Sequence, residues 1–132
     1  MQEELNDNLK NCFEFFKRQA MSSPSMEVVG FLGLKDEKPV AKMVKNRSPD
    51  PKNYFAVDPL ETLNFKSEHD FLAIFHSHIY GDSQFSEWDK ITSDNCMLPF
   101  LVYSLGEEKF NLYIPEACEV SSVNLERLKD LL

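Results

Sequence analysis

Glycine is scarce in this 132-residue sequence, four in all, and no Gly-rich phosphate loop can be assembled from so few. Cysteine is scarce too. Cys12, Cys96 and Cys118 are odd in number, far apart and form no CxxC pair. That argues against a disulfide framework or a zinc-thiolate site and for free thiols in a reducing compartment. Positive charge is in deficit, with 14 Lys and Arg against 22 Asp and Glu and a formal net charge of -8. The longest cationic stretches, 35–45 and Lys17-Arg18, are diluted by acidic or apolar residues. Nucleic acids and anionic membranes are repelled at long range, and counterion release needs clustered cations. No apolar run approaches the roughly 20 residues of a membrane span. The opening Met-Gln-Glu-Glu has no basic region followed by an apolar one, so the expected location is cytoplasmic. HExxH and PCxxC are both missing, which removes two zinc-enzyme templates. No repeat, low-complexity tract or linker divides the chain.

What is present is enough for a core. The chain is 42% apolar with 11 Phe, and a domain of this length buries about two-thirds of the surface its unfolded chain exposes. A single domain over 1–132 is expected, folding without disulfides or a structural metal. Phe13, Phe16, Phe31, Phe71, Phe75, Phe100 and Phe110 are its core candidates.

Helical periodicity runs over 5–21, with Leu5, Leu9, Cys12, Phe13, Phe16 and Ala20 on one face. Residues 27–34 read as a buried strand in which Gly30 and Gly33 mark close approach of backbone or site. A turn at 36–39 and a return strand over 40–46 follow, then a loop with Pro49 and Pro51 and a short strand over 54–57. Asp58-Pro59 opens a helix to about Ser67, as N-cap and first helical residue. Residues 71–75 are a short apolar strand. Ser86-Glu87-Trp88-Asp89 has the form of a capping box, starting a helix to about Asn95. Strands at 99–104 and 109–114 and a helix over 123–131, capped by Ser121 or Ser122, complete the pass. The fold class is mixed α/β (α+β), a mostly antiparallel central sheet flanked by helices.

The chemistry concentrates between His76 and Asp89. Residues i and i+2 of a strand share a face, so His76 and His78 can present two imidazoles side by side, a pair suited to zinc. Ser86 and Asp89, three apart, share a helix face and can meet those imidazoles if the loop 79–85 folds back. Two nitrogens and one oxygen leave a tetrahedral zinc with an open fourth position, the layout of catalytic sites. Zinc lowers the pKa of a water towards about 7. Such chemistry also needs a base, for which Glu27 at the head of an apolar strand is the candidate. It needs an oxyanion donor too, for which Ser86 is the candidate.

These residues fill a known pattern. The chain resembles the JAMM metallopeptidases, the MPN-plus branch of the MPN domains. Their signature is a glutamate on an early strand, then His-x-His, seven residues, Ser, two residues and Asp. Here it is met by Glu27, His76-Ser77-His78, residues 79–85, Ser86, Glu87-Trp88 and Asp89. The stretch Glu27-Val28-Val29-Gly30 is similar to the family's first-strand motif. The resemblance implies an MPN (cytidine-deaminase-like) fold over about 5–130, zinc on His76, His78 and Asp89, Glu27 as acid/base and Ser86 steadying the intermediate. The segment 93–102 and the loop 46–55 are similar to those of phage tail-assembly members, in which an NlpC-type cysteine peptidase domain often follows. Ile79 departs from the Pro of many prokaryotic members, which alters loop stiffness and leaves the ligands intact.

The resemblance implies a zinc peptidase or isopeptidase. Its substrate would be a ubiquitin-like or sulfur-carrier protein, a phage tail protein or a cell-wall peptide, with a tail-associated location if phage-derived. The alternative is an MPN-type assembly module, which requires no zinc ligands; a zinc hydrolase of non-peptide amides is a third. Both Asp89 and Ser86 also suit their helix start, through the helix dipole and the N-cap. His69 reads as solvated, Trp88 as a core or site-wall residue, and Tyr80, Asp82 and Gln84 as possible substrate contacts or plain solvent-exposed residues.

Overall fold

A computed structural model describes residues 4–6, 8–79, 85–116, 118 and 120–132, with side chains from residue 8 onward. Ten elements follow in chain order: β1 (Glu4–Asn6), α1 (Leu9–Ser22), β2 (Val29–Lys35), β3 (Lys38–Val44), α2 (Pro59–Glu68), β4 (Asp70–His78), α3 (Glu87–Cys96), β5 (Phe100–Ser104), β6 (Lys109–Tyr113) and α4 (Ser122–Asp130). The strands form one sheet in the order β1-β3-β2-β4-β5-β6. Every neighbouring pair is antiparallel except β4 and β5, which run parallel. A parallel pair needs a crossover, and here the crossover carries α3. The architecture is the mixed α+β sheet with flanking helices that the sequence predicts.

Both faces of the sheet are covered. One packs on α1 and α4 through Phe13, Phe16, Leu32, Ala73, Phe75 and Leu128. The other holds Val29, Phe31, Phe71, Ile74 and Phe100 under Phe65 of α2. A register shift between β2 and β4 pairs Leu32 with Ala73 but Gly33 with Phe71, leaving Leu72 as the extra residue. Such a bulge resets the alternation of faces. Leu72 and Ala73 therefore both join the α1 side, while Phe71, Ile74 and then His76 and His78 fall on the α2 side.

The close approaches expected at the glycines are present. A Cβ on Gly33 would lie 2.7 Å from the Phe65 ring and 2.9 Å from the Asp70 carbonyl oxygen. One on Gly30 would lie 2.9 Å from the Lys42 carbonyl oxygen. Gly33→Ala must push α2 off the sheet or spread β2 from β4. Thermal unfolding should show a loss of about 1–3 kcal/mol, and no loss would mean that the α2 contact is soft.

Several expectations need correction. Residues 4–6 pair with β3 as a strand, so the first helix begins at Leu9, not Leu5. Leucine and glutamate favour helix, but Asn8 caps α1 by accepting from the Asn11 amide and sets its start. The short strand over 54–57 is not formed; the segment is held by a side-chain amide instead, described below. The turn is tighter than 36–39. Asp36 and Glu37 both have positive φ, 51° and 66°, and Lys35 pairs directly with Lys38, the two-residue geometry that matches strand twist. β4 extends past Phe75 to His78, so both histidines are strand residues. Trp88 is 60% exposed and no part of the core. His69 is half-buried, its ring stacked on Phe65 at 3.9 Å. Among the described residues no helix is long and apolar enough to cross a membrane.

Candidate metal centre

The two histidines project from the last turns of β4's alternation, and α3 brings the carboxylate. Ser86 caps α3 by accepting from the Asp89 amide at 3.0 Å, and the Asp89 carboxylate accepts from the Ser86 amide at 3.2 Å. The capping box read from the sequence is thus complete, with Asp in place of the usual Glu. The shorter side chain keeps Asp89 Oδ2 near the helix start, where it also faces both imidazoles.

His76 Nε2 and His78 Nε2 lie 3.3 Å apart, and Asp89 Oδ2 lies 3.4 Å from the first and 3.2 Å from the second. A tetrahedral zinc with bonds of about 2.0–2.1 Å separates its ligand atoms by about 3.3–3.4 Å. The triangle therefore fits that ion without rearrangement. Among the described residues this is the one group of three potential ligands that converges.

Electrostatics prepare two of the three groups, His76 and Asp89. Burial lowers the pKa of His76 against the pull of Asp89, so its ring is neutral at neutral pH. Burial works against ionisation of Asp89, but hydrogen bonds with His76 and His78 outweigh it and hold the carboxyl well below the usual range. Neutral imidazole and ionised carboxylate are the forms that ligate metal. His76 Nδ1 is buried with no hydrogen-bond partner among the described residues. Its ring is oriented by packing: Phe55 stacks on it at 4.4 Å and Phe100 meets it edge-on at 5.6 Å.

Glu27 comes to this site through strand register. β2 and β4 pair Val29 with His76. Ser77 extends the ladder, its amide donating to the Val28 carbonyl at 3.0 Å and its hydroxyl accepting from the Val28 amide at 2.9 Å. One residue further, Glu27 stands opposite His78 on the same face. Glu27, His78, Ser86 and Asp89 share a cavity of about 190 Å³ with Lys52, Asn53 and Tyr54. Glu27 is buried. Burial pushes its carboxyl up to about 8; His78 opposes that shift, and Asp89 and Asp50 reinforce it. A larger cleft of about 570 Å³ lies at the other end of β4, against Asp70, His69 and Cys96, and contains none of these groups.

All five residues singled out in the sequence are thus brought together. Tyr80, Asp82 and Gln84, with most of the loop 79–85, lie outside the described residues. Ser77, Phe55, Lys52 and Tyr54 are the site residues that sequence reasoning passes over. Only the alternation of β4 and the proline pair around the loop hint at them.

No protein-family model and no curated protein matches the chain. Among solved structures it is similar to the solution structure of protein DSY2949 from Desulfitobacterium hafniense, with 24% identity and a TM-score of 0.61 over 78% of this chain and 77% of that one. At that identity the likeness speaks for the fold alone.

Proposed function

We propose that this chain is a zinc-dependent peptidase or isopeptidase of the JAMM type, with an MPN-like sheet carrying His76, His78 and Asp89 as ligands. The observation that carries the reading is the triangle of 3.2, 3.3 and 3.4 Å between Nε2, Nε2 and Oδ2, open on one side to a cavity that also holds Glu27 and Ser86.

Zinc bound there would supply Lewis acidity, polarising a carbonyl and activating water near neutral pH. The protein's own groups divide the remaining work. Glu27, buried beside the triangle with its carboxyl raised by burial in the metal-free protein, is the group placed to take a proton and return it to a leaving amine. The Ser86 hydroxyl accepts from the Asp89 amide, which leaves its own proton for an oxygen in the cavity, the donor role that acyl transfer needs. Phe55 and Phe100 keep water from the back of His76. Lys52, Asn53 and Tyr54 form the wall against which a protein or peptide substrate would lie. An assembly module would need none of this ligand set.

The purified protein should hold about one zinc per chain by elemental analysis. Chelation should abolish hydrolysis of peptide and isopeptide amides, and added zinc should restore it. A protein that takes up no zinc at neutral pH would sink the reading.

A further inference from the structure

The loop 46–56 is organised by one side chain that no catalytic pattern includes. The Asn46 amide nitrogen donates to the carbonyl oxygens of Glu27, at 2.8 Å, and Tyr54, at 3.0 Å. Its oxygen accepts from the backbone amides of Ser48, at 3.0 Å, and Ala56, at 3.1 Å. An Asn amide has two N–H donors and an oxygen with two lone pairs, so all four capacities are used. The orientation is fixed as well, because a flipped amide would set N–H against N–H and oxygen against oxygen. The same loop returns to Glu27 from the other side, the Pro51 carbonyl accepting from the Glu27 amide at 2.6 Å. Arg47 and Ala56 close its neck with a backbone bond of 2.9 Å.

Three parts of the site therefore hang on Asn46. Glu27 has its carbonyl tied to the Asn46 side chain and its amide tied to the loop that Asn46 folds. Lys52, Asn53 and Tyr54, the cavity wall, lie within that loop. Phe55, which stacks on His76, sits between the two residues, Tyr54 and Ala56, that Asn46 grips. Its four hydrogen bonds go to Glu27, Tyr54, Ser48 and Ala56 rather than to His76, His78 or Asp89.

We propose that Asn46 is the positioning residue of the site, holding Glu27 and the substrate wall in register with the ligand triangle. This rests on the hydrolase reading above for its catalytic meaning, though not for the clamp itself. Asn46→Asp separates the two halves of the clamp. The carboxylate still accepts from Ser48 and Ala56 but can no longer donate to Glu27 and Tyr54. Asn46→Ala removes both halves.

Amide hydrogen exchange and zinc competition test this on the whole chain. In Asn46→Asp the Glu27 amide, which donates to Pro51 in the loop that Asn46 ties to the Glu27 carbonyl, should exchange about tenfold faster as the loop loosens from Glu27, while the Ser48 and Ala56 amides stay protected. In Asn46→Ala all three should lose protection. Zinc affinity, read by competition with a chromophoric chelator, should stay within about threefold of wild type in Asn46→Asp, since no ligand is touched. On a peptide amide that the wild type hydrolyses, Asn46→Asp should lower kcat by about 100-fold, the usual effect of an ångström's misplacement, with a much smaller change in KM. An unchanged Glu27 amide in both variants would overturn the proposal. So would a zinc loss as large as that of a ligand variant, or an unchanged kcat. If the wild type binds no zinc, the hydrolase reading fails, and the exchange data still decide whether Asn46 clamps Glu27.

Discussion

His78→Ala should leave the purified protein without stoichiometric zinc while barely changing its fold. Even partners outside the ligand sphere cost 10–100-fold in metal affinity when removed, so loss of one of three ligands should cost about 100-fold or more. His78 is the cleanest of the three to remove. Its side chain is 14% exposed and ends β4, so truncation should cost the metal-free protein only about 1 kcal/mol. His76 is fully buried between Phe55 and Phe100, and its truncation would open a cavity worth about 2–4 kcal/mol. Asp89 doubles as the cap partner of Ser86, so its removal would also loosen the start of α3. Zinc content and metal-free melting temperature, measured together on His78→Ala, separate ligation from folding. Retained zinc with an intact fold would remove His78 from the ligand set. The wild type's own zinc affinity should fall in acid, because ligation requires neutral imidazole, and the burial that lowers the pKa of His76 moves that ring's protonation below the ordinary imidazole range.

The convergence of His76, His78 and Asp89 was legible in the sequence for a simple reason. The three residues lie on two consecutive elements joined by one loop, so strand alternation and a helix cap together fix their relation. The i, i+2 spacing of His76 and His78 has a single meaning once both are in a strand, and Ser86 announces where α3 begins. Glu27 is different. It lies 49 residues before His76, a separation that no local rule spans; the link is the antiparallel register of β2 on β4, which exists only in the folded sheet. Asn46 is harder still. Asparagine after a strand end ordinarily means a turn, and only the folded loop shows four backbone groups converging on it. The errors have the same origin. Residues 4–6 have no local reason to be a strand and become one because the edge of β3 is available. Trp88 looks like a core residue by hydrophobicity alone, but the buried positions of α3 are Asp89 and Ser93. The helix turns its polar side inward towards the site and leaves the indole outside.

Glu27→Gln should abolish turnover and, in the metal-free protein, stabilise the fold at alkaline pH. The first effect follows from the loss of a proton acceptor; general-base groups contribute about 10²–10⁴-fold, and zinc content should be unaffected because Glu27 is not among the converging ligands. The second follows from the direction of its shift. A carboxyl raised from 4.5 to about 8 holds its proton more tightly when folded than when unfolded. Between those values the unfolded chain has already ionised and gains over the folded one, so stability falls as pH rises through the window and stays low above it. Glutamine removes that penalty. The variant should match wild type near pH 4 and exceed it by on the order of 2–4 kcal/mol above pH 9, which for a domain of this size is a rise of about 5–15 °C in Tm. His76, buried and neutral, destabilises both proteins equally as pH falls below its unfolded value, so it cancels in the comparison. Bound zinc, by favouring the ionised carboxylate nearby, should shrink the difference. Melting curves at pH 4, 7 and 9, with chelator and with zinc, test each part. A variant no more stable than wild type at pH 9 would mean that the carboxylate is already well solvated. A general base of ordinary basicity would then have to work through position alone.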